Sequence, residues 1–141
     1  MVTTAGIMAT TVDAARMGVV TVLHADERTP AVTALERAVD VVSHYAGPSY
    51  GMAQLQHDLV QLAEVDMVEA VLPSVEFFTE AGKIQLLRGC LFVAIADGTI
   101  DAVPYGAAAE FGMALCLTPE HVRSVMQRFL DEHMPVVDLT G

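Results

Sequence analysis

Basic residues are scarce in this chain. Seven Lys and Arg stand against eighteen Asp and Glu, for a formal charge of −11 and a pI near 4.6. Phosphate backbones and anionic headgroups repel such a surface, which argues against nucleic acid and favours cations or basic protein surfaces as partners. Long apolar runs are also missing. The longest, such as Cys90–Ala96, fall far short of the roughly 20 residues that span a bilayer. The opening MVTTAGIMATTVDAAR has no basic region ahead of an apolar stretch, so it does not read as a signal peptide. Cysteine is limited to Cys90 and Cys116, both in apolar stretches read as helix, and the expectation is two reduced, buried thiols. These features point to a cytoplasmic protein without direct membrane insertion.

Catalytic signatures are missing as well. The chain has no G-x-S-x-G, no P-loop and no G-x-G-x-x-G. His24, His44, His57, His121 and His133 form no H-E-x-x-H or other zinc spacing. Cys90 lies in the most apolar segment, where a thiol pKa rises, so it makes a poor nucleophile. Asp66 with Glu69, and Glu76 with Glu80, are carboxylate pairs at helical spacing that read as solvated faces.

What is present is helical material. Hydrophobic residues make up 53% and mean hydropathy is +0.47, much of it from Ala and Val. A chain of 141 residues suits one domain and buries about 70% of its unfolded surface. A helix is expected from about Asp13, taken as its N-cap, to the charged turn Asp26–Pro30. Thr29 then caps a second helix from Pro30 to about Tyr45, with Ala31, Ala34, Leu35, Ala38, Val39, Val42 and Tyr45 on one stripe. Gly47–Gly51 reads as a turn, and Met52 to Leu62 as a helix with Leu55, Leu59 and Leu62 inward. An acidic stretch leads into a helix through Ala70–Leu72, which Pro73 kinks or restarts. Glu80-Ala81-Gly82 reads as a break. Lys83 to Ala96 is apolar almost all round, as a central helix is. Pro104 opens a helix from about Val103 to Leu117, and Thr118-Pro119-Glu120 starts the last one, to about His133. Strand-type alternation is scarce, so the fold expected is all-α: a single helical domain of about seven helices and no sheet. Residues 1–12 are expected as an N-terminal arm, 13–134 as the helical domain and 135–141 as a loose tail.

The chain also carries a candidate internal repeat. Aligning Gly18 with Gly89 sets GVVTVLHAD against GCLFVAIAD, so Asp26 pairs with Asp97 at an offset of 71. Each unit continues through a polar turn containing Pro into an Ala-rich helix, TALERAVDVV or GAAAEFGMALCL. Glu36 and Glu110 correspond if the second loop is three residues longer.

FVAIADGTID, and more faintly VTVLHADERTP, resemble the helix–"A-x-x-D-G-x-x-x"–helix units of the tellurite-resistance TerB family. Ala94, Ala96, Asp97, Gly98 and Asp101 fit the motif, and Cys116–Pro119 suits the family's closing turn. In the first copy Glu27 stands where Gly is usual. The resemblance covers about Ala15 to Arg128. It implies a two-unit helical domain, a stress or metal-resistance context and a divalent metal at the turns. The family places further acidic residues at the start of the following helix. Here Pro30–Ala34 and Ala102–Gly106 contain none, which leaves Asp26, Glu27, Asp97 and Asp101 as the acidic candidates.

Two readings of the second turn stand side by side. Gly98 with positive φ and Asp101 as a cap would simply stop one helix and start the next. Alternatively, Asp26, Glu27, Asp97 and Asp101 would share a hard divalent cation (Ca, Mg, Mn or Zn), which His24 could join. The calcium-loop pattern itself fails, because Thr99 replaces a ligand and Ala108 stands where Glu is required. Met17, Met52, Met67, Met113 and Met126 read as core filling, with an adaptable contact surface as the alternative. The function expected is a non-enzymatic, TerB-like binding or scaffold protein that acts on other proteins. The other two expectations are a small carboxylate- and metal-dependent hydrolase and a plain homodimerisation module.

Overall fold

The computed structural model describes residues 11–25 and 30–139. Among these, seven α-helices follow in order: α1 (Thr11–Ala25), α2 (Val32–Ala46), α3 (Met52–Gln61), α4 (Met67–Val71), α5 (Glu80–Ala94), α6 (Ala102–Ala114) and α7 (Pro119–His133). A 3-10 segment, Leu72–Phe77, continues α4 with Pro73 in its first turn. The chain is an all-α domain, and no described helix is long and apolar enough to cross a membrane.

α1 and α5 form the centre. α1 packs on α2, α3, α4, α5 and α6, and α5 packs on α1, α2, α6 and α7. The expectation of one central helix at 83–96 is thus only half of the arrangement. α1 buries Ala14, Ala15, Met17, Val19, Val20, Val22 and Leu23, leaving few positions for solvent. Small residues let these helices approach closely. A Cβ on Gly18 would stand 2.5 Å from the Cys90 sulfur of α5 and 2.8 Å from the Phe111 ring of α6. A Cβ on Gly89 of α5 would stand 2.8 Å from Val41 of α2.

Several boundaries differ from expectation. Glu80-Ala81-Gly82 is the first turn of α5, not a break. Thr79 caps it, its hydroxyl accepting the Gly82 N–H at 2.9 Å, and this satisfies a helix-end donor that Gly82 would otherwise expose. α2 starts at Val32 behind Ala31, two residues after Pro30, and Thr29 lies outside the described residues. Asp13 is inside α1, two residues after its first residue, and its carboxylate takes a hydrogen bond from Arg16 at 2.9 Å. Thr118 does cap α7 as expected, accepting from the His121 N–H.

The expectation of no sheet is also corrected. β1 (Thr99–Asp101) pairs in parallel with β2 (Val136–Asp138), Ile100 opposite Val137. The C-terminal segment expected to be loose is therefore tied back to the turn between α5 and α6, with Val136 N–H also donating to the Gly98 carbonyl at 2.9 Å. Ile100 is fully buried and anchors the pairing. Cys116, expected to be buried in a helix, is exposed. α6 ends at Ala114, and Cys116 follows at φ 65°. Its N–H donates to Met113 and that of Leu117 to Gly112, the paired bonds that close a helix with a left-handed residue.

Candidate functional site

The second turn is built from the end of α5. The helix stops where Gly98, at φ 86°, reverses the chain and donates to the Ile95 carbonyl. Asp97 Oδ1 then accepts from both the backbone N–H and the hydroxyl of Thr99, at 3.1 and 3.0 Å. Such a side-chain turn fixes the carboxylate at the mouth of the loop. Asp101 stands at the N-cap position of α6 with extended backbone. The stop-and-start reading of this turn is therefore realised in its backbone, although the Asp101 side chain makes no capping hydrogen bond to α6.

Asp97 and Asp101 line one cavity of about 210 Å³ together with Thr99, Pro104, Pro30 and Ala31. Val22 and Leu23 of α1 and Val93 and Ala94 of α5 form its apolar wall. Half of its lining consists of matched positions: Val22 with Val93 and Leu23 with Ala94 at the offset of 71, and Pro30 with Pro104 three residues further apart. Asp26 and Glu27, the other two acidic candidates, lie outside the described residues. Among the described residues no three His, Cys, Asp or Glu side chains gather as a ready-made metal cluster. Asp97 and Asp101 alone would be an incomplete coordination shell for a hard cation, which takes six or more oxygens, some of them backbone carbonyls and water.

His24 is not at this cavity. Its Nε2 meets the Leu59 carbonyl at 2.7 Å, so it serves a helix end, that of α3 rather than its own. Asp66 caps α4 by accepting the Glu69 N–H, and Glu69, Glu76 and Glu80 are exposed, as a solvated acidic face is. Burial pushes the Cys90 thiol well above its ordinary pKa, which leaves it protonated and inert.

Three further perturbed titrating groups, Asp58, Arg16 and Tyr50, were not singled out from the sequence. Asp58 is fully buried on α3. Arg16 grips it through Nε and Nη2 at 2.9 and 2.7 Å, and the Tyr50 hydroxyl donates to it at 2.7 Å. Burial on its own would raise the Asp58 pKa, but hydrogen bonds from Arg16 and Tyr50 and the Arg16 charge hold it below the ordinary carboxylate value. The hydrogen bond to Asp58 raises Arg16, and burial, then the bond to Asp58, raises Tyr50. Clusters of this kind often mark active sites. Here every buried polar side-chain atom among the described residues has a partner, and Asp58 is closed to solvent, so the cluster works as a clamp between α1, α3 and the Gly47–Gly51 turn. One signal was available: Asp58 lies three residues after Leu55, on the inward stripe.

Comparison of the chain with protein-family models, curated proteins and solved structures found no match.

Proposed function

We propose that this chain is a non-enzymatic, TerB-like binding protein of the cytoplasm. In this reading two related helix–turn–helix units flank one cavity, and that cavity takes a divalent cation. The observation that carries it is the lining of that cavity. Corresponding residues of the two units, Val22 with Val93 and Pro30 with Pro104, face one space whose polar side bears Asp97 and Asp101. The reciprocal packing of Gly18 against α6 and Gly89 against α2 supports the same kinship of the units. Asp26 and Glu27 are the further acidic candidates, and water and loop carbonyls would fill the remaining coordination of Ca, Mg, Mn or Zn. The resemblance of FVAIADGTID to the TerB motif supports a role in tellurite or chemical-stress resistance, exercised through other proteins. A catalytic reading gains nothing from the geometry of the buried carboxylate, Asp58, which is sealed by Arg16 and Tyr50.

Isothermal titration with each of the four cations tests this. A saturable heat in the micromolar to millimolar range that disappears in Asp97→Ala supports the reading. No heat with any of the four, or an unchanged heat in Asp97→Ala, overturns it.

A further inference from the structure

A larger concavity, of about 610 Å³, runs along a different face of α1, the one bearing Met17, Val20, Thr21 and His24. The link Leu62–Val68 and the first half of α6 form its walls. Its floor is core: Met17 and Val20 are buried. Its walls are apolar yet open, for Val65, Val68 and Val103 are 41%, 47% and 53% exposed. Burying such a run of β-branched side chains in a partner is favourable at about 25 cal/mol per Å² of apolar surface removed from water. Met17 and Met67 add adaptable thioethers to the same trough.

Besides Thr21 and His24, the polar side chains on this trough are acidic. Asp66 and Glu110, both exposed, stand at it, and no Lys or Arg lines it among the described residues. The asymmetry extends through the segments that build it. Residues 38–82 contain no Lys or Arg but carry Glu64, Asp66, Glu69, Glu76 and Glu80, and residues 89–122 again contain no Lys or Arg. Three of the basic side chains elsewhere are engaged. Arg16 is held by Asp58 and Asp13, Arg37 lies over the Phe92 ring at 4.2 Å, and Arg88 pairs with Glu132 at 2.8 Å.

From this we infer that the α1–α6 trough is the docking site for a basic amphipathic helix of a partner protein. The apolar face of that helix fills the Val-lined trough, and its Lys or Arg side chains flank it to meet Asp66 and Glu110. An acidic or neutral helix of the same amphipathicity lacks the second contact and meets the field of a chain with eleven excess negative charges. The inference shares the reading of a binding protein but does not depend on the cation cavity, which lies on other residues.

Fluorescence anisotropy of two dye-labelled synthetic helices tests it, one of Leu and Lys, the other of Leu and Glu with the same apolar stripe. The Leu/Lys helix should bind saturably, and more weakly as salt rises, while the Leu/Glu helix should not bind. Val68→Gln, Val103→Gln and Glu110→Lys, all at exposed positions that leave the core intact, should each weaken binding about tenfold. Phe77→Gln, at a residue 70% exposed that does not line the trough, should leave it unchanged. Absence of binding, equal binding of both helices, or insensitivity to the three trough variants would overturn the inference. So would a concentration-dependent dimer in ultracentrifugation that Val68→Gln and Val103→Gln dissolve, which would give the trough to a second copy of the chain. An Asp97→Ala variant separates the two sites: it should lose cation binding and keep the peptide.

Discussion

Arg16 and Asp58, 42 residues apart in the chain, are joined by a two-pronged ion pair at 2.9 and 2.7 Å, with the carboxylate fully buried and the guanidinium side chain 29% exposed. The pair fastens α3, which is short and has few buried side chains of its own, to the central helix α1. Breaking such a pair by removing one partner strands the other charge, at a cost of about 3–5 kcal/mol. Asp58→Ala should therefore lower the thermal midpoint by about 10 °C. The joint replacement Arg16→Met with Asp58→Leu should recover part of that loss, because no charge is then left buried while the Tyr50 hydroxyl still lacks its acceptor. Differential scanning calorimetry of the three variants checks both outcomes.

The same pair sets a pH dependence. The Asp58 pKa in the fold is lowered below its ordinary value of 3.8, so the unfolded chain binds the proton more readily. The stability it contributes is present above about pH 4 and is lost as pH falls through the lower, folded value. Urea unfolding between pH 2.5 and 6 should show this decline, and Asp58→Asn should show a shallower one over the same window.

Among the described glycines, Gly18 leaves the least room for a side chain. Gly18→Ala would place a methyl 2.5 Å from the Cys90 sulfur and 2.8 Å from the Phe111 ring, and should cost about 2–3 kcal/mol. Adding Cys90→Ala removes one of the two obstacles. The double variant should be more stable than the sum of the single effects predicts, a coupling that a urea-denaturation cycle measures.

Cys116 pays a backbone penalty at its left-handed φ of 65°, in a position where helices prefer glycine. Cys116→Gly should stabilise the protein by about 1 kcal/mol, seen as a higher urea midpoint with an unchanged slope. An unchanged or lower midpoint would mean that the exposed thiol makes contacts worth as much as the strain.

Much of this architecture was legible in the residues. Thr118-Pro119-Glu120 announced α7 because capping chemistry is local, and the stripe through Ala38 and Val42 announced the buried face of α2. Glu80–Gly82 misled because the Gly was read without the Thr79 cap that keeps it helical. The β1–β2 ladder left no trace because each strand is three residues long and their pairing joins segments over thirty residues apart. Asp97 and Asp101 were visible as turn residues, and the cavity they share with Pro30 and Ala31 follows from how α1, α5 and the starts of α2 and α6 come together, which no single segment encodes. The Asp58 clamp was hidden by the habit of reading a carboxylate as exposed, although its place among Leu55, Leu59 and Leu62 put it on the inward stripe.

The most direct test of the cation reading is paramagnetic broadening by Mn²⁺ in the amide NMR spectrum of the whole protein. Substoichiometric Mn²⁺ should selectively remove the Ala31, Ala34, Gly98 and Thr99 signals, with recovery on adding Mg²⁺ and no such loss in Asp97→Ala. Broadening centred on Glu64 and Glu69, or a pattern that Asp97→Ala leaves unchanged, would contradict it.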